Sequence, residues 1–174
     1  YDDDGNGYVD DIRGWDFINI DNAPLDDNMH GTHVAGIIGA VGNNGIGIAG
    51  AAWNVKLMHI KVFQSTGQGN STTIAEGVEY AYMNGADILN MSFGSYSGSS
   101  TLKLALENAY ATSILVAAAG NSGICIGPGP FCAPHYPSAY SFVLGVEDRP
   151  RPTSGYTNYD QDGPINTLYS TELL

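Results

Sequence analysis

Basic residues are the scarcest chemistry in this sequence: Lys and Arg number 6 against 18 Asp and Glu, a formal net charge of −12 over 174 residues. A chain so poor in cations lacks the basic face that nucleic acid or an anionic membrane surface requires, so neither is expected as a partner. Long apolar runs are missing too. No stretch of about 18 apolar residues is present to span a bilayer, and no basic segment ahead of an apolar one marks a signal peptide. Cysteine is limited to Cys125 and Cys132. Their spacing, in a loop rich in Gly and Pro, suits a small disulfide loop better than a metal site, which would need more Cys or His nearby. Internal repeats, low-complexity tracts and interdomain linkers are also lacking. What is there, 43% hydrophobic residues in 174, predicts one folded domain with a sizeable core.

The acids are unevenly placed. Asp2, Asp3, Asp4, Asp10, Asp11, Asp16, Asp21, Asp26 and Asp27 put half of them in the first 27 residues, where self-repulsion is costly unless cations bind. Asp2, Asp4, Asn6, Gly7 and Asp10 match the first, third, fifth, sixth and ninth positions of an EF-hand loop. Arg13 stands where the twelfth position needs a bidentate acid, so a complete EF-hand is not expected.

Hydrophobic periodicity alternates between strand-like and helix-like segments, which predicts a parallel α/β sheet. Leu57 to Phe63 reads as a strand. Ser71 to Asn84 reads as a helix with Ile74, Val78, Ala81 and Tyr82 on one face, Thr73 and Glu76 at capping-box spacing, and Gly85 as its stop. Ile88 to Ser92 is the next strand, and Leu102, Ala105, Leu106 and Ala109 mark a second amphipathic helix. Ile114 to Ala118 is a continuous apolar run, as in a strand buried on both faces, and Phe142 to Val146 is a further strand. Ligands of such sheets bind beyond the carboxyl ends of the strands.

Three motifs carry chemistry. In His30-Gly31-Thr32-His33-Val34-Ala35-Gly36 a histidine opens a glycine-rich helix, where its ring can project rigidly into a cleft as a general base must. Ala117-Ala118-Ala119-Gly120-Asn121-Ser122-Gly123 places an Asn amide just past a buried strand, able to donate to a developing oxyanion. Asn90-Met91-Ser92-Phe93-Gly94-Ser95 is a strand running into small residues, suited to pairing with an extended peptide. Alone, each has an ordinary reading: a packed or incidental histidine pair, a turn, a plain strand end. Together they resemble the subtilisin-like serine proteases, the subtilase family, and the likeness covers nearly the whole chain, with Tyr156-Thr157-Asn158-Tyr159 resembling the segment that precedes the nucleophile region.

The resemblance implies a three-layer α/β subtilisin-like fold, with a mostly parallel central sheet flanked by helices. It implies a serine endopeptidase that works by acyl transfer. His30 would be the general base, with His33 buried as support, and Asn121 the oxyanion residue. Ser92, Phe93 and Gly94 would line one wall of the pocket for the residue preceding the scissile bond (P1), and Ala118, Ala119 and Gly120 the other, around a protein or peptide substrate in extended conformation. Structural calcium (Ca2+) is also implied. Asp16, Asn19 and Asp21 resemble one calcium loop of thermitase-like subtilases, while Asn44 with the carbonyls of Ile46 and Ile48 resembles the family's tight site. An exported, extracellular location follows from the family, and with it a Cys125–Cys132 disulfide.

Two departures qualify that likeness. In the family the triad runs Asp, His, Ser along the chain, so an Asp-Ser/Thr-Gly strand end is expected before His30 and a Gly-Thr-Ser-Met-Ala segment after residue 174. Neither occurs within residues 1–174. Asp2 to Asp4 lie in a turn-rich stretch rather than at the end of an apolar strand, and Ser122 and Ser154 do not sit in the nucleophile's pattern. The chain is therefore expected to be a partial peptidase domain, inactive by itself. The alternative is a catalytically dead, calcium-stabilised peptide-binding module using the same groove.

Overall fold

The structure is a computed structural model that describes residue 2, residues 4–121 and 133–147, and the strand at 167–169. The chain forms two compact units, Tyr1–Ala86 and Asp87–Thr171.

In the first unit, β1 (Gly14–Asp16) and β2 (His59–Lys61) pair in parallel, with Gly14 opposite His59 and Asp16 opposite Lys61. Helix α1 (His30–Gly39) lies between them in sequence, giving a β-α-β unit. Gly14 is required for this pairing. Its φ is 108°, and a Cβ there would lie 1.9 Å from the His59 carbonyl oxygen. Helix α2 (Ser71–Met83) follows and packs on β2 so closely that a Cβ on Gly77 would meet Val62 Cγ1 at 2.5 Å and Ile60 Cγ2 at 3.0 Å.

Helix α2 starts where the sequence reading puts it and ends one residue before the expected Asn84, but two other details differ. The cap is Asn70, whose side chain accepts from the Thr73 N–H at 2.9 Å, rather than a Thr73–Glu76 box. The buried aromatic is Tyr80, not Tyr82, which is only half-buried. Tyr80 packs edge-on against Tyr8 and Phe17, and its hydroxyl donates to Asp11 at 2.5 Å. The acidic opening loop is thereby docked on α2, helped by Asn6 Nδ2, which donates to Asp11 at 3.1 Å and to Asn84 Oδ1 at 2.9 Å. Long-range aromatic partners, invisible to helical periodicity, chose which tyrosine turned inward.

In the second unit β3 (Ile88–Met91), β4 (Ile114–Ala118), β5 (Leu144–Glu147) and β6 (Thr167–Tyr169) form a sheet in that order, every pair parallel. Helix α3 (Ser100–Ala109) connects β3 to β4 and is capped by Ser99, whose hydroxyl accepts from the Leu102 N–H at 3.3 Å. Its buried stripe is Leu102, Ala105, Leu106 and Ala109, as the spacing predicts. Burying a side chain the size of Leu106 contributes about 1.5–3 kcal/mol. Along β4, Leu115, Val116 and Ala117 are buried, whereas Ile114, at the amino end, is half exposed. Phe142 lies in the turn before β5 rather than in the strand, stacked on Tyr140 with ring centroids 5.5 Å apart.

Candidate functional site

Helix α1 begins at His30, and the residues just before it fix that first turn. Asp26 acts as the helix cap: Oδ1 accepts from the N–H groups of Asn28 (2.9 Å) and Met29 (3.0 Å), and Oδ2 from that of Thr32 (2.7 Å). Hydrogen bonds to the charged form, those from Thr32 foremost, hold the Asp26 carboxyl down to about 2. Asp27 pairs with Lys61 Nζ at 2.6 Å, and Asn28 Nδ2 donates to the Ser65 carbonyl at 2.7 Å. Two members of the acidic cluster that the sequence marks as costly unless cations bind therefore anchor the turn bearing His30, whose side chain is exposed.

His33 is exposed rather than buried. No residue of α1 is buried among the described residues. Residues 48–57 lie against its far end, with Ala51 and Ala52 N–H donating to the Ile37 and Ile38 carbonyls at 2.9 Å. His33 sits nearer the start.

The other candidate residues lie in the second unit, at the carboxyl edge of β3 and β4. Met91 pairs with Ala117, so the parallel register carries Ser92, Phe93 and Gly94 out alongside Ala118, Ala119 and Gly120. Asn90 Nδ2 donates to Ser92 Oγ at 3.0 Å, and the Ala119 N–H donates to the Val146 carbonyl at 2.8 Å. Gly120 adopts φ 96°, a conformation that favours glycine, and turns the chain so that Asn121 emerges exposed. The structure thus brings together, within the second unit, Asn121 and the six residues expected to line the pocket. His30 belongs to the first unit.

One residue there escaped the sequence reading. His135 is 7% exposed, its ring edge-on to Tyr96 at 5.2 Å. Its N–H donates to the Ala118 carbonyl, while Nδ1 is buried with no hydrogen-bond partner among the described residues. Burial pushes its pKa below the usual imidazole value, against the smaller opposing effect of the Ala118 bond. The backbones of Ser95 and Tyr136 exchange two hydrogen bonds of 2.8 Å, which pins the His135 segment beside the end of β3. No sequence signal pointed to His135, because its contacts are long-range. Asp26 did leave one: an Asx residue shortly before a helix is an N-cap cue.

The expected calcium residues fall in tight turns. Asp16 is 1% exposed; its Oδ1 accepts from the N–H groups of Ile18 (2.7 Å) and Asn19 (3.0 Å) and its Oδ2 from Asn19 Nδ2 (2.8 Å). Asp21 Oδ1 accepts from the Ala23 N–H at 2.9 Å. Asn44 Oδ1 accepts from the Ile46 N–H at 3.0 Å, and Ile46 and Ile48 are exposed. Among the described residues no three His, Cys, Asp or Glu side chains converge to hold a metal. Cys125, Cys132, Ser122, Ser154 and Tyr156 to Tyr159 lie outside the described residues.

The model of the Subtilase family matches residues 1–159, which take in His30, Asn121 and the residues expected to line the pocket. The chain belongs to the subtilase family. Its likeness to thermitase of Thermoactinomyces vulgaris is 38% identity over 167 residues, covering 92% of this chain and 57% of that protein. Subtilisin DY of Bacillus licheniformis is 44% identical over 136 residues, 78% of this chain and 48% of its own. A thermostable alkaline protease of Halalkalibacterium halodurans is 44% identical over 134 residues, 76% and 35%. The chain thus spans roughly half or less of the length of these curated relatives, and its helices and parallel sheets are those of the α/β subtilase fold. Among the described residues no helix is long and apolar enough to cross a membrane.

Proposed function

We propose that this subtilase chain supplies the general base, the oxyanion donor and the P1 pocket walls of a serine endopeptidase. The observation that carries the reading is the Subtilase match over residues 1–159, together with its bearing on two local geometries. His30 opens a capped helix with its side chain exposed, and Asn121 emerges past a glycine turn at the end of β4. A peptide lying extended beside Ser92–Gly94 and Ala118–Gly120 would present its carbonyl carbon to a nucleophilic serine supplied by sequence beyond these 174 residues. As the serine attacks, His30 takes its proton and later returns it to the leaving amine, while the Asn121 amide and a backbone N–H bind the oxyanion.

By itself the 174-residue chain should not hydrolyse peptides, because loss of the nucleophile costs about six orders of magnitude in the related handicapped enzymes. A fluorophosphonate probe tests the reading. It should label the full-length protein that carries this chain, lose that labelling on His30→Ala, and leave the 174-residue chain unlabelled. Stoichiometric labelling of the short chain at Ser122 or Ser154 would overturn the assignment of Asn121. A full-length protein that binds extended peptides but never labels would favour the peptide-binding module instead.

Calcium is proposed as a structural ion at Asp16, Asn19 and Asp21, with a second site at Asn44, Ile46 and Ile48. The donors are the hard oxygens calcium takes. Asn19 uses its amide nitrogen on Asp16, which leaves its Oδ1 as a donor, and Asp21 has Oδ2 beyond its bond to Ala23. Asp16 already accepts three hydrogen bonds, so its first duty is holding the turn. The reading also includes export and a Cys125–Cys132 disulfide, which closes a short loop.

A further inference from the structure

The two glycines facing each other across the proposed pocket, Gly94 and Gly120, touch the same side chain. A Cβ on Gly94 would lie 2.0 Å from His135 Cε1 and 2.7 Å from both ring nitrogens. A Cβ on Gly120 would lie 3.0 Å from Nε2, 3.1 Å from Cε1 and 3.2 Å from Cδ2. The room left by these two absent side chains is therefore taken up by an imidazole reaching in from a third segment. That ring is not free to swing away. The Ser95–Tyr136 backbone pair fixes its main chain, Ala118 accepts its N–H, and Tyr96 lies against it.

We propose that His135 is a specificity-determining residue, its ring closing the bottom of the P1 pocket between Ser92–Gly94 and Ala118–Gly120 and restricting cleavage to peptides with a small P1 side chain. The inference rests on the proteolytic reading above. If a peptide's P1 side chain enters between the two walls, its depth is set by what fills the far end, and here that is a buried, anchored imidazole. An Ala or Ser side chain stops short of it, whereas a Phe ring would have to displace it from the Ala118 bond. Displacement of that kind is the steric discrimination that single pockets achieve, about 10- to 200-fold between substrates.

The test is the ratio of kcat/KM for two peptide anilides that differ only in P1, Ala against Phe, measured on the full-length protein. Both substrates read the same enzyme preparation, so the ratio is independent of how much of a variant is folded. The unsubstituted protein should favour Ala by about tenfold or more, and His135→Gly should shift the ratio toward Phe by about 10- to 200-fold. His135→Asn, which keeps a polar side chain but shortens it, should give an intermediate shift and guards against a glycine variant that does not fold. Cleavage of both peptides with a ratio unchanged in both variants would overturn the inference and leave the proteolytic reading standing. Failure to cleave any peptide, with no labelling by the fluorophosphonate probe, would overturn that reading and this inference with it.

Discussion

Replacing Asp26 with Asn isolates the charge that holds the first turn of α1. The Asn side chain retains one acceptor oxygen for Asn28 and Met29 but presents an amide nitrogen where Asp26 Oδ2 accepts from Thr32. The carboxyl is held at about 2 against an ordinary 3.8. At 1.36 kcal/mol per pKa unit that sets a ceiling of about 2 kcal/mol. Asp26 is exposed, so solvent screening reduces the contribution to about 1 kcal/mol, in line with measured N-caps. The folded pKa is depressed, so this stability is fully present above pH ~4 and is lost as pH falls toward ~2. Asp26→Asn should therefore lower the melting temperature at pH 7 by about 2–4 °C. It should also speed exchange of the Thr32 amide, and at pH ~2 most of the difference from the unsubstituted protein should be gone. A melting-temperature loss of the same size at pH 7 and pH 2 would show that shape or packing, not the charged cap, is at stake. Unaltered Thr32 exchange at pH 7 would refute the cap itself.

Four other outcomes follow from the same geometry. Gly77→Ala should destabilise by about 1–3 kcal/mol, because the new methyl meets the short, branched side chains of Val62 and Ile60; chemical denaturation reads this, and no loss would mean that α2 sits farther from β2. The His135 imidazole should titrate below the usual histidine value in a proton NMR titration, so its contribution to stability holds above pH ~6.5 and is lost as pH falls below it; a raised value would contradict its burial. Saturating calcium should raise the melting temperature and Asp21→Ala should blunt the rise, so identical curves with calcium and with chelator would remove the ion from the proposal. Intact mass before and after reductant should reveal the Cys125–Cys132 disulfide, a loop closure worth about 2 kcal/mol, and two freely alkylated thiols in unreduced protein from an oxidising compartment would exclude it.

The sequence by itself determined the elements whose signal is local. Period 3.6 marked Leu102, Ala105, Leu106 and Ala109 as the inner stripe of α3, and an unbroken apolar run placed β4 at Ile114–Ala118. The three motifs, being short and contiguous, identified the family and its expected site residues before any contact was known. Tertiary structure decided what depends on residues far apart in the chain. Tyr80 rather than Tyr82 faces inward because Tyr8, Phe17 and Asp11 wait on that side. Asp27 became an anchor of the His30 turn once Lys61, 34 residues away, came within hydrogen-bond reach, whereas the local partners of Asp26 had left a capping cue in the sequence. His33 is exposed near the start of α1, while residues 48–57 lie against the far end of that helix. His135 reached Gly94 and Gly120 because parallel register aligned the ends of two strands and a backbone pair held a third segment across them. Periodicity records how each residue relates to its neighbours a turn or a strand step away. The partner that gives a polar side chain its job is set by chain crossings that no such period encodes.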